Sequence, residues 1–256
     1  RLLDLSEPKV MGILNVTPDS FYAGSRAQTK EAVLERARQL RAEGAAMLDI
    51  GACSTRPGSE PVSEEQEMER LRMALRIVRS EASDAVVSID TFRPEVAAMA
   101  VKEFDADIIN DVSGGSAEMF RVVTRLRVPY ILTSVEPTLH DILLDFAGKV
   151  QQLRDLGQKD IILDPGFGFG KTLEQNYEVL SGMEQLQVLG LPILAGISRK
   201  SMIYRLLGTT PDESLNGTTV LNTIALMKGA DILRVHDVRE AAECIKLYGK
   251  CSSSLG

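Results

Sequence analysis

Eight side chains spread along this 256-residue chain share one setting: each stands at or just beyond the end of a short apolar run. They are Asn15, Arg56, Asp90, Asn110, Asp164, Lys200, Arg234 and His236. They divide by chemistry. Asp90, Asn110, Asp164 and Lys200 mix hydrogen-bond acceptors and donors, which suits a flat, nitrogen-rich heterocycle. A carboxylate accepts two parallel N–H bonds from an amino-substituted ring, and Asn offers one donor edge and one acceptor. Asn15, Arg56, Arg234 and His236 suit an anion instead: guanidinium forks match phosphate oxygens, and a protonated imidazole adds charge. The Asn15 amide oxygen also suits Mg²⁺, which takes oxygen ligands and needs few protein groups beside phosphate.

Those residues need elements to bring them together. The apolar run 161–163 reads as a buried strand that ends in Asp164, and Pro165, Gly166, Gly168 and Gly170 then carry the chain away through a loop. The same unit recurs from end to end. Strands are expected at 10–16, 46–51, 85–91, 107–112, 128–134, 161–164, 192–198 and 230–236, with helical spacing between them. Ser63 with Gln66 forms a capping box that opens a helix over 63–80. Eight βα units with both sheet faces covered predict an α/β fold, a single-domain (β/α)₈ TIM barrel over residues 1–251, with 252–256 as a disordered tail. All eight strand ends then open on one face, so residues far apart in sequence share a cavity.

Composition sets limits. Hydrophobic residues make up 44% of the chain and charged ones 25%, enough apolar material for a core, and no apolar run reaches the roughly 20 residues of a membrane span. A net charge of −7 argues against nucleic acid, so an anionic ligand needs a local cationic site. Cys53, Cys244 and Cys251 have no metal spacing and form no even disulfide set, which points to a reducing, cytoplasmic setting. With His140 and His236 as the only histidines, a His-based zinc site is excluded, and His140 reads as a helix-start surface residue. Residues 166–172 imitate a phosphate loop, but Pro165 replaces its first glycine. The acidic run 64–67 reads as a solvated first helical turn.

Seven segments together resemble dihydropteroate synthases: 11–21 (MGILNVTPDSF), 54–58 (STRPG), 88–91 (SIDT), 109–111 (IND), 164–172 (DPGFGFGKT), 198–201 (SRKS) and 234–238 (RVHDV). The resemblance covers essentially the whole chain, in order. It implies condensation of 6-hydroxymethyl-7,8-dihydropterin diphosphate with 4-aminobenzoate, giving 7,8-dihydropteroate and diphosphate on the folate pathway. It implies a pterin site of Asp90, Asn110, Asp164, Phe169 and Lys200. Asn15, Thr55, Arg56, Arg234 and His236 would serve the diphosphate and its Mg²⁺, with Asn15 as the metal ligand. Phe21, Pro57, Phe169, Lys200 and Ser201 would flank the aminobenzoate. On this resemblance Asp90, Asp164, Lys200, Arg234 and His236 would carry the catalytic roles. Loops after the first two strands would order around the diphosphate, and a homodimer is expected.

Diphosphate leaves well once cations take its charge, so no covalent nucleophile is required. Methyl transfer from methyltetrahydrofolate to a corrinoid protein is the alternative on a related barrel, but it has no use for Arg56, Arg234 and His236. A non-catalytic pterin-binding protein is a third reading, opposed by the retained charges. The sequence departs from the family at 133–135, where Thr-Ser-Val replaces Met-His-Met and predicts a more polar pterin wall. It departs also at 22–25 and at Ala52 and Cys53, next to the two loops, where aminobenzoate and sulfonamide affinity would be set.

Overall fold

The computed structural model describes residues 3–16, 26–53 and 62–252. The chain alternates β1 (Lys9–Asn15), α1 (Arg26–Ala42), β2 (Met47–Gly51), α2 (Glu64–Glu81), β3 (Val86–Asp90), α3 (Pro94–Phe104), β4 (Ile108–Asp111), α4 (Ala117–Leu126), β5 (Tyr130–Thr133) and α5 (Leu139–Asp155). It continues with β6 (Ile161–Asp164), α6 (Leu173–Ser181), a 3₁₀ segment (Met183–Leu189), β7 (Leu194–Ala195), α7 (Ser201–Leu207), α8 (Leu215–Met227), β8 (Ile232–Val235) and α9 (Val238–Ser252).

Helix starts follow local chemistry. Ser63 accepts from the Gln66 N–H while the Gln66 side chain accepts from the Ser63 N–H, and Thr172 with Gln175 repeats this box at α6. Pro94 opens α3, where a missing N–H costs nothing. One expectation about these starts is corrected. Glu67 is fully buried rather than solvated, because Thr91 Oγ1 donates to it at 2.7 Å and Arg93 pairs with its other oxygen. Ser252, expected in the tail, is the last residue of α9; residues 253–256 lie outside the described residues.

All strand pairs are parallel, in the order β6-β5-β4-β3-β2-β1-β8-β7. A bridge between Leu163 and Ile193 joins the two ends, with the Leu163 N–H donating to the Pro192 carbonyl at 2.8 Å. The sheet is therefore a closed eight-stranded barrel wrapped by helices. β7 is shorter than the expected 192–198. Its β6 side engages at Pro192 and Ile193, its β8 side at Leu194 and Ala195, and the Ile193 N–H is taken by the Asp231 side chain at 2.8 Å.

Strand alternation sorts the core in two. One set of side chains faces outward and packs under the helices. The inward set closes the barrel with Met11, Met47, Ile108, Ile131, Ile162, Leu194 and Ile232, one residue from each strand except β3, where half-buried Val86 packs against them. This apolar plug is the floor of everything above it. Ile131 is fully buried within it, so Ile131→Ala is expected to cost about 2–5 kcal/mol of stability, the transfer plus cavity penalty, read by urea unfolding.

Candidate active site

Side chains on a strand repeat with period two, so the residue two beyond each floor residue also points into the barrel. Those positions are Ile13, Asp49, Ser88, Asn110, Thr133, Asp164, Gly196 and Arg234. A dry floor thus gives way, within one layer, to a ring that is mostly polar. Asp49, Ser88, Asn110 and Thr133 are fully buried, and Asp164 is 3% exposed. Six buried side-chain atoms among the described residues have no hydrogen-bond partner, and four belong to this ring: Asp49 Oδ1, Ser88 Oγ, Asn110 Oδ1 and Thr133 Oγ1. They come from the consecutive strands β2 to β5. Buried polar atoms are normally satisfied, so four orphans on one wall mark a surface shaped for a polar ligand.

A second tier lies two residues further on, with Asn15, Gly51, Asp90, Ser198 and His236. Arg234 ties the tiers together. Its Nε donates to Asp49 Oδ2 at 2.7 Å and its Nη2 to Asp90 Oδ2 at 2.6 Å. Burial works against the guanidinium charge, but Asp49 and Asp90 outweigh it and raise its pKa. Burial pushes the Asp90 carboxyl up to about 7; Arg234 opposes the rise, while Asp49 and Asp111 add to it. Asp49 Oδ2 also accepts from Asn110 Nδ2 at 3.0 Å.

The loop after β6 forms the opposite wall. Asp164 Oδ1 accepts from the Gly166 N–H at 2.8 Å, and burial raises the Asp164 pKa against the pull of Lys200. Gly166 has φ +70°, and a Cβ there would stand 2.1 Å from the Ser134 carbonyl oxygen, so no other residue fits. Lys171 Nζ holds the loop shut by donating to the carbonyls of Gly166 (3.0 Å), Phe169 (3.3 Å) and Ser134 (3.4 Å). Lys200 donates to the Phe167 carbonyl, and its Nζ sits 4.5 Å from the centroid of the Phe169 ring. Ser201 opens α7 directly after Lys200. Gly196 lies between Asp164 and Arg234: a Cβ added there would be 3.9 Å from Asp164 Oδ2 and 4.0 Å from Arg234 Cβ.

Of the residues singled out in the sequence, Asp90 joins Arg234 directly and Asn110 joins it through Asp49. Asp164, Lys200 and Phe169 form the facing wall. His236 meets Ser198, whose Oγ lies 3.0 Å from its Nδ1. Asn15 ends β1, with its Oδ1 and the Asp90 Cβ each 3.4 Å from the point where a Gly51 Cβ would stand. Phe21, Thr55, Arg56 and Pro57 lie outside the described residues. His140 is an exposed residue in the first turn of α5, as expected. Sequence reasoning passed over Asp49, Ser198 and Lys171. The signal for Asp49 was present: a carboxylate inside an apolar strand run needs a buried partner.

The sequence pattern of the family described as "Pterin binding enzyme" matches residues 11–236. Dihydropteroate synthase of Clostridium beijerinckii is 41% identical over 249 residues, covering 93% of this chain and 92% of the relative. The solved dihydropteroate synthase of Xanthomonas albilineans with 4-aminobenzoic acid superposes with a TM-score of 0.93 at 35% identity, covering 98% of this chain and 96% of that one. A Clostridium difficile dihydropteroate synthase, solved in the presence of pteroic acid, gives 0.93 at 33% identity, covering 98% and 99%. The chain therefore belongs to the pterin-binding enzymes and, among them, to the dihydropteroate synthase family.

Burial lowers the pKa of both Lys171 and Lys200 to about 8, with Asp164 holding each up in part. Between about pH 8 and 10.5 the folded chain then binds fewer protons at these amines than the unfolded chain does. Stability contributed by this pair therefore rises with pH across that window. Lys171→Met and Lys200→Met are each expected to flatten the rise in unfolding free energy between pH 8 and 9.5, measured in urea.

Proposed function

We propose that the polar ring and the tier above it bind 6-hydroxymethyl-7,8-dihydropterin diphosphate and join it to 4-aminobenzoate, giving 7,8-dihydropteroate and diphosphate. The observation that carries this reading is the wall of four unpartnered buried polar atoms beside Asp164, over an apolar floor. A flat heterocycle with several N–H and carbonyl groups satisfies such a wall at once. In this reading Asn110, Asp164 and Asp90 hold the pterin, and Lys200 bonds its polar edge. Phe169, Lys200 and Ser201 flank the aminobenzoate, joined by Phe21 and Pro57. Arg234 and His236, with Asn15, Thr55 and Arg56, receive the diphosphate.

Asn15 Oδ1 borders the small space left by Gly51, and an amide oxygen of this kind fits Mg²⁺, which needs few protein ligands beside phosphate. The ion would be held by Asn15 beside the diphosphate and would neutralise charge on the leaving group. The reaction breaks the bond between the pterin methylene carbon and the diphosphate oxygen, and the electron pair leaves with diphosphate. Arg234 and His236 stabilise that charge, while Asp90 and Asp164 offset the positive charge left on the pterin side. The aminobenzoate nitrogen then donates its lone pair to the methylene carbon and loses a proton. Arg234 and His236 at the mouth favour this chemistry over methyl transfer to a corrinoid protein, which releases no diphosphate.

The reading extends to assembly and location. Leu206 and Leu207 on α7 and Val220 and Met227 on α8 are 49–70% exposed, and the two helices pack together. An apolar patch of this kind supports a homodimer. Cys53, Cys244 and Cys251 make no even disulfide set, which supports a reducing cytoplasm, and no described helix is long and apolar enough to cross a membrane.

Three experiments test this. Wild-type protein is expected to release diphosphate from the dihydropterin diphosphate only when 4-aminobenzoate and Mg²⁺ are both present. Asp164→Asn should weaken pterin binding on the order of 100-fold, the loss of one or two charge-assisted hydrogen bonds. Folded wild-type protein without aminobenzoate-dependent release would overturn the reading. Separately, sedimentation should find a dimer that Val220→Glu with Met227→Glu converts to monomer.

A further inference from the structure

We infer that Asp49 is a positioning residue: it orients the Asn110 amide so that Asn110 presents its carbonyl oxygen to the pterin. This deepens the pterin reading above and rests on it. Asp49 stands in the centre of β2 and is fully buried. One of its oxygens, Oδ2, accepts from Asn110 Nδ2 at 3.0 Å and from Arg234 Nε at 2.7 Å. An ionised carboxylate has no hydrogen to give. If the Asn110 amide turned over, its oxygen would face that carboxylate oxygen at the same separation, two acceptors with nothing between them. The pairing therefore admits one orientation, with the amino group spent on Asp49.

The orientation has a chemical consequence. Asn110 Oδ1 is buried without a protein partner, and so is Asp49 Oδ1. An amide free to rotate would serve a donor or an acceptor on the ligand; a fixed one accepts only. With Asp164 beside it, on β6 next to Thr133, this wall selects a ligand edge that offers N–H groups, such as the aminopyrimidinone edge of a pterin. It discriminates against a ring with an acceptor at that place, because two buried acceptors would be left facing each other. Arg234 locks Asp49 from the other side and still has Asp90 when Asp49 is altered, so replacing Asp49 does not strand a buried cation.

A double-mutant cycle tests the assignment. Calorimetry gives the affinity for dihydropterin diphosphate in Asp49→Ala, Asp49→Asn, Asn110→Ala and the double variant Asp49→Ala with Asn110→Ala. Asp49→Ala should weaken binding roughly 30-fold, and that penalty should shrink at least fivefold in the Asn110→Ala background, since contacting residues couple. Asp49→Asn keeps a carbonyl oxygen for the Asn110 amino group, and it should bind about tenfold more tightly than Asp49→Ala. An undiminished Asp49→Ala penalty in the Asn110→Ala background would overturn the inference. If Asp49→Ala fails to fold, Asp49→Asn decides alone: affinity lost as fully as in Asn110→Ala would equally overturn it.

A second readout is independent of turnover. The Asn110 side-chain amide resonance, assigned by its loss in Asn110→Ala, should be protected from exchange in the ligand-free wild type and in Asp49→Asn but not in Asp49→Ala. An unchanged resonance in Asp49→Ala would refute the orientation. A wild-type protein that releases no diphosphate would refute the functional reading and leave this measurement decisive.

Discussion

One guanidinium shared between two carboxylates governs this molecule's interior. Arg234 comes from β8, Asp49 from β2 and Asp90 from β3, so the cluster spans the strands on either side of β1. None of the three could remain charged in the barrel alone, because an unpaired buried charge costs several kcal/mol or changes protonation. Together they set one guanidinium against two carboxyl groups. Burial pushes the Asp90 carboxyl up to about 7, with Arg234 opposing the rise and Asp49 adding to it. The cluster is a poor stabiliser by this account and a strong organiser. It fixes where Asn110 points, where Asp90 sits and how the cationic side of the mouth meets the acceptor-rich wall.

The facing wall is built on the opposite principle. Lys171 and Lys200 donate to the carbonyls of Gly166, Phe167 and Phe169, so two cations hold the backbone of one short loop. Each is depressed to about 8 by burial, and each is drawn back by Asp164. A loop held by its carbonyl groups keeps its side chains where they are, which is how Phe169 comes to lie under Lys200. The glycines that imitate a phosphate loop in the sequence serve close backbone approach, as the Gly166 contact with Ser134 requires.

Much of this was legible in the sequence, and the limits were physical. Eight strand ends marked by polar residues sufficed for the barrel, and Asp90, Asn110, Asp164 and Arg234 stood out because each interrupts an apolar pattern. Asp49 interrupts one too, but it stands in mid-strand rather than at a strand end, and strands in a parallel barrel are apolar on both faces, so the sequence does not show that it points inward. Only the register pairing Ile13 with Asp49 and Met11 with Met47 reveals which face is inward. Glu67 was misread for a related reason: its helical turn looks solvated, and only the three-dimensional approach of Thr91 and Arg93 buries it. The brevity of β7 depends on which neighbour satisfies each N–H, which no local pattern encodes.

Two glycines, Gly196 in the ring and Gly166 in the loop after β6, have opposite tolerance. At Gly166 any side chain would collide with backbone, so that position is closed to change. At Gly196 a methyl group would meet Asp164 and Arg234 at ordinary contact distances and would cost the fold little. It would project instead into the space between Asp164 and Arg234. The fold thus leaves one point at which a single-step replacement can reshape the cavity without endangering the scaffold. Selection acting on what the cavity admits has an inexpensive route there, separate from selection on folding.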